Sequence, residues 1–381
     1  MNNDSPFAEL PAALVQEVLE RTEEISQSLL NSFDDIREKK SSWRAQLVER
    51  DLVRKDSNLP LVPIPTCCGV DGALAVERLL AIDLVAVGAV AVEGLTPPSE
   101  TRFWPEPRHF IYVDTEAHDA ETSSVLRGLM MGMELQLAQN APHEVVFLDG
   151  SLTTPTIFFN QALSKLESAP NLKVSFELIK TIRAHLEAYK DILTARRSDR
   201  YFVAMPKYTT RREIGKKLNW PEAYDDRGLL STLLESGEYT KPETLEEPAS
   251  SWHINTKPVK TDENAEIEKL AEEVTNLLDT VKVIYYRPYT WLPALRLELA
   301  QSIAETPARL SAVLTGIKHQ CGSAAIMEPY PLYMADRMVK HLAKSVPAFR
   351  QIASQRLAEN YKGDISEIFI SLHGYRTESG A

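Results

Sequence analysis

The sequence has few of the features that mark several large protein classes. Only three cysteines occur among 381 residues, and two of them, Cys67 and Cys68, are adjacent. This odd number argues against a disulfide framework and favours a reducing compartment. The longest apolar run, from Leu84 to Val92, is far shorter than the roughly 20 residues that a membrane-spanning helix needs. Residues 1–9 are acidic and show no secretory signal, so we expect a cytoplasmic protein.

Glycine and positive charge are also scarce. The 15 glycines never form the Gly-x-x-x-x-Gly-Lys loop, which argues against ATP hydrolysis by this chain. Asp and Glu outnumber Lys and Arg by 54 to 42, giving a net charge of −12. Bulk charge therefore cannot hold the protein on DNA or on an anionic membrane, and any contact with DNA must be local.

The hydrophobic pattern divides the chain into an N-terminal arm and a larger domain. From residue 10 to about residue 53, apolar residues on a charged background recur at helical spacing, as in one or two amphipathic helices; they are Leu14, Val18, Ile25, Leu29, Leu30 and Ile36. We assign residues 1–58 to a helical arm for packing or dimerisation, and residues 59–381 to the main domain. A segment at 237–263, rich in Pro, Glu, Ser and Thr, indicates a polar insertion or linker.

Three strands, a helix and a fourth strand are predicted at the start of the main domain. Short connections indicate that the three strands form an antiparallel meander. A helix between two strands of one sheet is normally a right-handed crossover between parallel strands, so we expect the fourth strand to lie beside the first. The predicted strands cover residues 61–71, 79–92, 108–114 and 144–148, with the helix at 119–140.

Two of these strands end in an Asp-Gly pair, at Asp71 and Asp149. Asp-Gly is also a common hairpin signal, but here the predicted topology brings both carboxylates to neighbouring parallel strands. Adjacent strands are about 4.8 Å apart, which suits metal ions separated by about 3.5–4 Å. Carboxylates are hard oxygen ligands for Mg²⁺ or Mn²⁺, so the sequence predicts a metal site at this edge.

Two further carboxylates are candidate ligands. Glu134 lies on the predicted crossover helix, and Glu121, nearer the start of that helix, is the alternative. Asp336 lies near the start of the last predicted helix, where an acid can instead complement the helix dipole.

Positive charge is concentrated in one short segment that follows a predicted strand. Five basic residues within eleven positions form the best local footprint for phosphate on this acidic chain, although basic surface segments are often only solvated; they are Lys207, Arg211, Arg212, Lys216 and Lys217. Arg296 and Glu298 lie two residues apart on a later strand, so they share a face and are predicted to form an internal ion pair.

Several of these segments together resemble the NurA family of nucleases. The matching segments, in chain order, are Val70-Asp71-Gly72, Met133-Glu134-Leu135-x-Leu137-Ala138, Val146-Phe147-Leu148-Asp149-Gly150-Ser151-Leu152, Arg296-Leu297-Glu298-Leu299, and Tyr330-Pro331 to Ala335-Asp336. The resemblance covers most of the chain. It implies an α/β fold of the RNase H-like type, with a mixed sheet of antiparallel meander and parallel strands flanked by helices.

The resemblance also implies an activity and partners. NurA nucleases degrade DNA with manganese, as 5′ to 3′ exonucleases and often as single-strand endonucleases. They act as homodimers with the hexameric HerA ATPase in DNA end resection or phage defence. The implied ligands for two Mn²⁺ or Mg²⁺ ions are Asp71, Glu134, Asp149 and Asp336. The alternative is a non-catalytic RNase H-like subunit that docks on a motor ATPase and regulates it.

Overall fold

The computed structural model describes residues 10–246, 251–364, 366–367 and 370. These residues form two compact units that divide between residues 52 and 53. The first unit contains one continuous helix, α1 (Ala12–Glu49), whose sequence has no Gly or Pro to interrupt it. Most of the apolar residues predicted to form its stripe are exposed, namely Leu14, Val18, Ile25, Leu29 and Leu30.

The second unit is built on a mixed sheet, in which we count ten strands within the described residues. The strands are β1 (Val53–Lys55), β2 (Cys67–Arg78), β3 (Asp83–Glu93), β4 (Arg108–Glu116), β5 (Val145–Asp149), β6 (Tyr201–Met205), β7 (Glu238–Thr240), β8 (Glu243–Thr244), β9 (Lys282–Arg287) and β10 (Leu295–Leu299). Their order across the sheet is β1-β7-β9-β10-β6-β5-β2-β3-β4, and β8 pairs with β9.

Helices flank this sheet. They are α2 (Thr122–Asn140), α3 (Thr154–Lys165), α4 (Lys173–Thr194), α5 (Glu213–Lys217), α6 (Asp226–Leu233), α7 (Asn264–Leu278), α8 (Gln301–Ala304), α9 (Pro307–Gln320) and α10 (Tyr330–Asn360). Both α2 and α10 pack on β2 and β3. Among the described residues, no helix combines the length and apolar character needed to cross a membrane.

The predicted meander and crossover are both confirmed. Strands β2, β3 and β4 pair antiparallel in chain order. After α2, the chain returns so that β5 lies parallel to β2, and β6 then lies parallel to β5. An antiparallel meander extended by parallel strands and covered by helices is the RNase H-like fold.

One expected boundary was wrong. We expected the first strand of the meander to end at Asp71, but β2 continues to Arg78 because its pairing with β3 extends to the Arg78–Asp83 pair. Further along the chain, the segment around Pro170 separates α3 from α4, since proline disfavours a continuous helix.

The division of the chain into domains at residue 58 stays a prediction. Strand β1 begins at Val53 and pairs with β7, which places it in the sheet of the second unit. The polar segment at 237–263 contains β7 and β8, which both pair with β9, and its residues 247–250 lie outside the described residues.

Candidate metal centre

Asp71 and Asp149 come together at the point where the parallel pairing of β2 and β5 ends. The last paired residues are Val70 and Leu148, and each aspartate is the next residue along its strand. Asp336 on α10 joins them, and one carboxylate oxygen from each of the three residues lies within 4.8 Å of the others. The crossover that we predicted from the sequence therefore produces an acidic cluster at this edge of the sheet.

Gly69 lets α10 approach closely enough to contribute Asp336. A Cβ atom at Gly69 would lie only 2.4 Å from the backbone nitrogen of Leu332 and 2.5 Å from the carbonyl carbon of Pro331. Any side chain at position 69 would therefore displace the first turn of α10. A proline in that turn costs no helical hydrogen bond, because the first amide groups of a helix have no partner within it.

Glu134 reaches the same cluster from α2. Its side chain is buried, and a Cβ atom at Gly72 would lie 2.3 Å from its Oε1 atom. Burial, together with the charges of Asp71 and Asp149, raises the pKa of Glu134 well above its usual range. Glu121, the alternative, lies just before α2 and pairs with Lys165 at 2.8 Å.

The crowding of carboxylates also shifts the pKa of Asp71. Burial, followed by repulsion from Asp149, raises this pKa to about 7, despite the amide of Gly72 that donates to its Oδ1 atom at 2.8 Å. A similar local bond, from the amide of Gly150, orients Asp149 at 2.9 Å. A site that resists the ionisation of its own acids favours a bound proton or a bound cation.

Lys207 provides a cation inside this cluster. Its ammonium nitrogen lies 3.1 Å from Asp149, 3.2 Å from Glu328 and 3.8 Å from Asp336. Burial opposes its charge, but Asp149 and Glu328 more than compensate, and its pKa is raised above the usual range. The sequence placed Lys207 in a basic segment for DNA, whereas the structure places its ammonium between the end of β5, which carries Asp149, and the start of α10, where Glu328 and Asp336 lie.

Glu328 is a member of the cluster that the sequence did not reveal. Burial raises its pKa despite the opposing effect of Lys207, and Asp149 and Asp336 add smaller upward contributions. It lies in the irregular segment before α10, where no periodicity constrains a prediction. The sequence signal that could have revealed it is an acid two residues before the motif that starts at Tyr330. The carboxylate cluster is hereafter Asp71, Glu134, Asp149, Glu328 and Asp336.

The other basic residues predicted for DNA form a separate group on and before α5. Arg212 donates hydrogen bonds to the carbonyl oxygens of Trp220, Pro221 and Tyr224. Arg211 donates to the carbonyl of Glu246 at 2.8 Å. Lys216 and Lys217 are exposed and pair with Glu246 and Glu243, respectively. The structure thus does not bring these four residues into the cluster that holds Lys207.

A buried ion network supports the turn that follows Asp149. Arg296 pairs with Glu298 at 3.1 Å, as the sequence predicted, and also with Glu213 at 2.6 Å. Glu298 in turn accepts hydrogen bonds from the hydroxyl of Ser151 at 2.6 Å and from the amide of Leu152 at 2.8 Å. This arginine network, Arg296, Glu298 and Glu213, therefore anchors the chain two residues after Asp149.

The residues of the cluster fit a hard divalent ion. Each candidate donor is a carboxylate oxygen, the ligand type that Mg²⁺ and Mn²⁺ prefer. Three of the donors lie within 4.8 Å of one another, and a side-chain cation already neutralises part of their charge. The cluster therefore has the ligand atoms and the excess negative charge that are typical of a cation site.

Comparison with known proteins identifies the fold. The sequence matches no protein-family model and no curated protein. Solved structures do match, although they share only 13% sequence identity with this chain. The NurA nuclease from Sulfolobus solfataricus superposes with a TM-score of 0.58, covering 91% of this chain and 98% of that one. A structure of NurA with manganese gives a TM-score of 0.53, covering 90% and 99%, and another structure of NurA gives 0.50, covering 92% and 99%. This chain therefore has the fold of the NurA nucleases.

Proposed function

We propose that this protein is a metal-dependent DNA nuclease of the NurA type. The observation that carries the proposal is the convergence of Asp71, Asp149 and Asp336 within 4.8 Å, with Glu134 buried beside them. The NurA fold supports the same conclusion, and one of its structures contains manganese. We infer 5′ to 3′ exonuclease activity and endonuclease activity on single strands.

Asp71, Glu134, Asp149 and Asp336 would hold two Mn²⁺ or Mg²⁺ ions. Bound divalent ions supply charge relief on the phosphate and activation of water at neutral pH. Glu298 contributes by holding the Ser151–Leu152 turn that follows Asp149. Lys207 offsets part of the negative charge of the cluster, because its ammonium contacts Asp149, Glu328 and Asp336.

Contact with DNA would come from the basic segment that begins at Lys207. Arg211, Arg212, Lys216 and Lys217 follow Lys207 directly along the chain, on the segment that leads from β6 into α5. The net charge of −12 of the whole chain makes such a local footprint necessary. We infer that these residues contact phosphates of the bound strand.

We further propose that the protein is a homodimer that acts with a HerA-like hexameric ATPase in DNA end resection or phage defence. Helix α1 supports this assembly, because a 38-residue helix that exposes a stripe of apolar side chains calls for a partner. The three free, buried cysteines fit a reducing compartment such as the cytoplasm. Light scattering of the full chain and of a chain lacking residues 1–52 tests the dimer; a monomeric full chain would contradict it.

Cleavage of labelled linear DNA by the purified chain tests the nuclease proposal. We expect cleavage with Mn²⁺ and none with a chelator. The matched variants are Asp149→Asn in the cluster and Asp262→Asn at an exposed position, of which only the first should be inactive. Cleavage that persists in chelator would contradict the metal site. A lack of cleavage with every divalent ion would favour the non-catalytic subunit.

A further inference from the structure

An open cleft lies beside the carboxylate cluster. Ser151 and Thr153, just after Asp149, line it together with Tyr208, Thr209 and Thr210, just after Lys207. Lys207 and Asp149 are themselves in contact at 3.1 Å. The cleft and the cluster are therefore formed by the same two chain segments.

Tyr208 is the most unusual residue of this cleft, because 95% of its surface is exposed. The residue before it, Lys207, is held in the cluster, and Pro206 fixes the backbone where β6 ends. The Cα atom of Tyr208 lies about 3.8 Å from that of Lys207. An exposed aromatic ring on the residue next to Lys207, not packed in the core, is suited to stack on a base.

The charge of the cleft indicates which part of a nucleotide it would accept. Its lining is dominated by hydroxyl groups and by Tyr208. Glu298 also lines it, and Arg296 offsets the charge of that carboxylate. The cationic residue of the lining, Arg211, donates from its guanidinium to the carbonyl of Glu246. The hydroxyl groups of this lining suit an uncharged, hydrogen-bonding part of a nucleotide, and Arg211 is left for a phosphate of the bound strand.

We propose that this cleft binds the base and sugar of the nucleotide whose phosphate lies at the carboxylate cluster, with Tyr208 stacked on the base. This inference rests on the proposed nuclease function and adds a nucleoside subsite to it. Because the faces of a base in a duplex are covered by its neighbours, the subsite accepts a base only from an unpaired or frayed strand. The cleft would thereby select single-stranded substrate next to the site of cleavage.

The test is the affinity for single-stranded oligonucleotides that lack one base at successive positions. Binding is measured by fluorescence anisotropy with Ca²⁺ in place of Mn²⁺, and the oligonucleotide is checked for integrity afterwards. We expect one abasic position to weaken binding to the unmodified protein by about 5- to 150-fold, the range for loss of one stacked base. Tyr208→Ala should weaken binding to the intact oligonucleotide by a similar factor, and should be insensitive to that one abasic position.

Two further variants make the test specific. Tyr208→Phe retains the ring and should bind as the unmodified protein does. Phe176→Ala removes another exposed aromatic side chain, on α4, and should have no effect. Equal sensitivity of Tyr208→Ala and unmodified protein to every abasic position would overturn the subsite, as would Tyr208→Phe binding as weakly as Tyr208→Ala. Manganese-dependent cleavage that continues alongside either result would leave the nuclease function standing, whereas absence of any cleavage would count against that function itself.

Discussion

The sheet carries two groups of buried charges that differ in their balance. In the arginine network, Arg296 lies between two glutamates and contacts both, and despite burial its hydrogen bonds hold the pKa of Glu213 below the usual range. In the carboxylate cluster, a single lysine faces several acids. Burial and mutual repulsion there raise the pKa values of Asp71, Glu134 and Glu328.

This difference separates a structural role from a functional one. An arginine that satisfies two carboxylates and a neighbouring tyrosine hydroxyl leaves little unpaired charge, so the network needs no further ligand. Acids that are gathered beyond what their cation can neutralise weaken the fold, and this arrangement is typical of sites that bind a cation or carry out chemistry. Removing a charge from the arginine network should therefore destabilise the fold, whereas removing a charge from the carboxylate cluster should stabilise the metal-free protein.

The largest effect is expected from Asp149→Asn. The amide keeps the shape of the side chain but removes a charge that would hold metal, so we expect DNA cleavage to fall by more than about 1,000-fold, typical for loss of an essential group. The rate of cleavage of labelled DNA with Mn²⁺ measures this, with thermal unfolding to show that the chain remains folded. Glu134→Gln should behave in the same way, and Glu121→Gln should be silent. A silent Glu134→Gln with an inactive Glu121→Gln would reverse our choice of ligand.

The second effect should appear in stability rather than in activity. Arg296→Met leaves Glu298 and Glu213 buried without their cation, which typically costs about 3–5 kcal/mol of unfolding free energy. Urea denaturation of the two proteins measures the difference. Arg197→Met, which breaks the exposed pair with Asp199, is the control and should leave stability nearly unchanged. Similar stability for Arg296→Met and the unmodified protein would remove the contrast between the two groups.

Asp71→Asn should have a smaller effect on stability, and one of opposite sign, because it should stabilise the metal-free protein. The carboxyl of Asp71 has a pKa of about 7 in the folded chain, against 3.8 as its ordinary value. The folded state thus holds the proton more tightly, and its stability falls as the pH rises through 7. Between pH 5 and pH 8 the unmodified protein should lose about 3 kcal/mol relative to Asp71→Asn. Urea denaturation with chelator at the two pH values measures this, and parallel pH dependence of the two proteins would contradict it.

The sequence predicted the part of the site that depends on regular secondary structure. Asp71 and Asp149 follow from two apolar strands joined by a meander and a crossover helix, since that topology has one common handedness. Glu134 lies on the crossover helix itself. These three residues are therefore close because of the order of strands and helix, and this order can be predicted from the hydrophobic periodicity of the sequence.

Contacts made by irregular segments were beyond such reasoning. Glu328 enters the cluster because Gly69 allows the start of α10 to lie against β2, a fit that depends on three-dimensional packing. Lys207 was placed correctly after a strand, but its position among acids depends on which strand lies beside β6. The partners of Arg212 are backbone carbonyls eight to twelve residues away, and no sequence pattern indicates them.

The smallest effect concerns Lys216 and Lys217, which test whether exposed and paired lysines still contribute to DNA binding. Each phosphate contact on a single strand adds about −0.7 to the slope of log affinity against log salt, so Lys216→Gln with Lys217→Gln should reduce the magnitude of that slope by about 1.4. Arg212 is unsuitable for this test because its guanidinium holds three carbonyls of its own chain. Lys180→Gln, which removes an exposed lysine paired with Glu177 on α4, is the control and should leave the slope unchanged. Anisotropy titrations at several salt concentrations give the slopes. An unchanged slope in the double variant would show that Lys216 and Lys217 stay paired with Glu246 and Glu243 and do not contact the DNA.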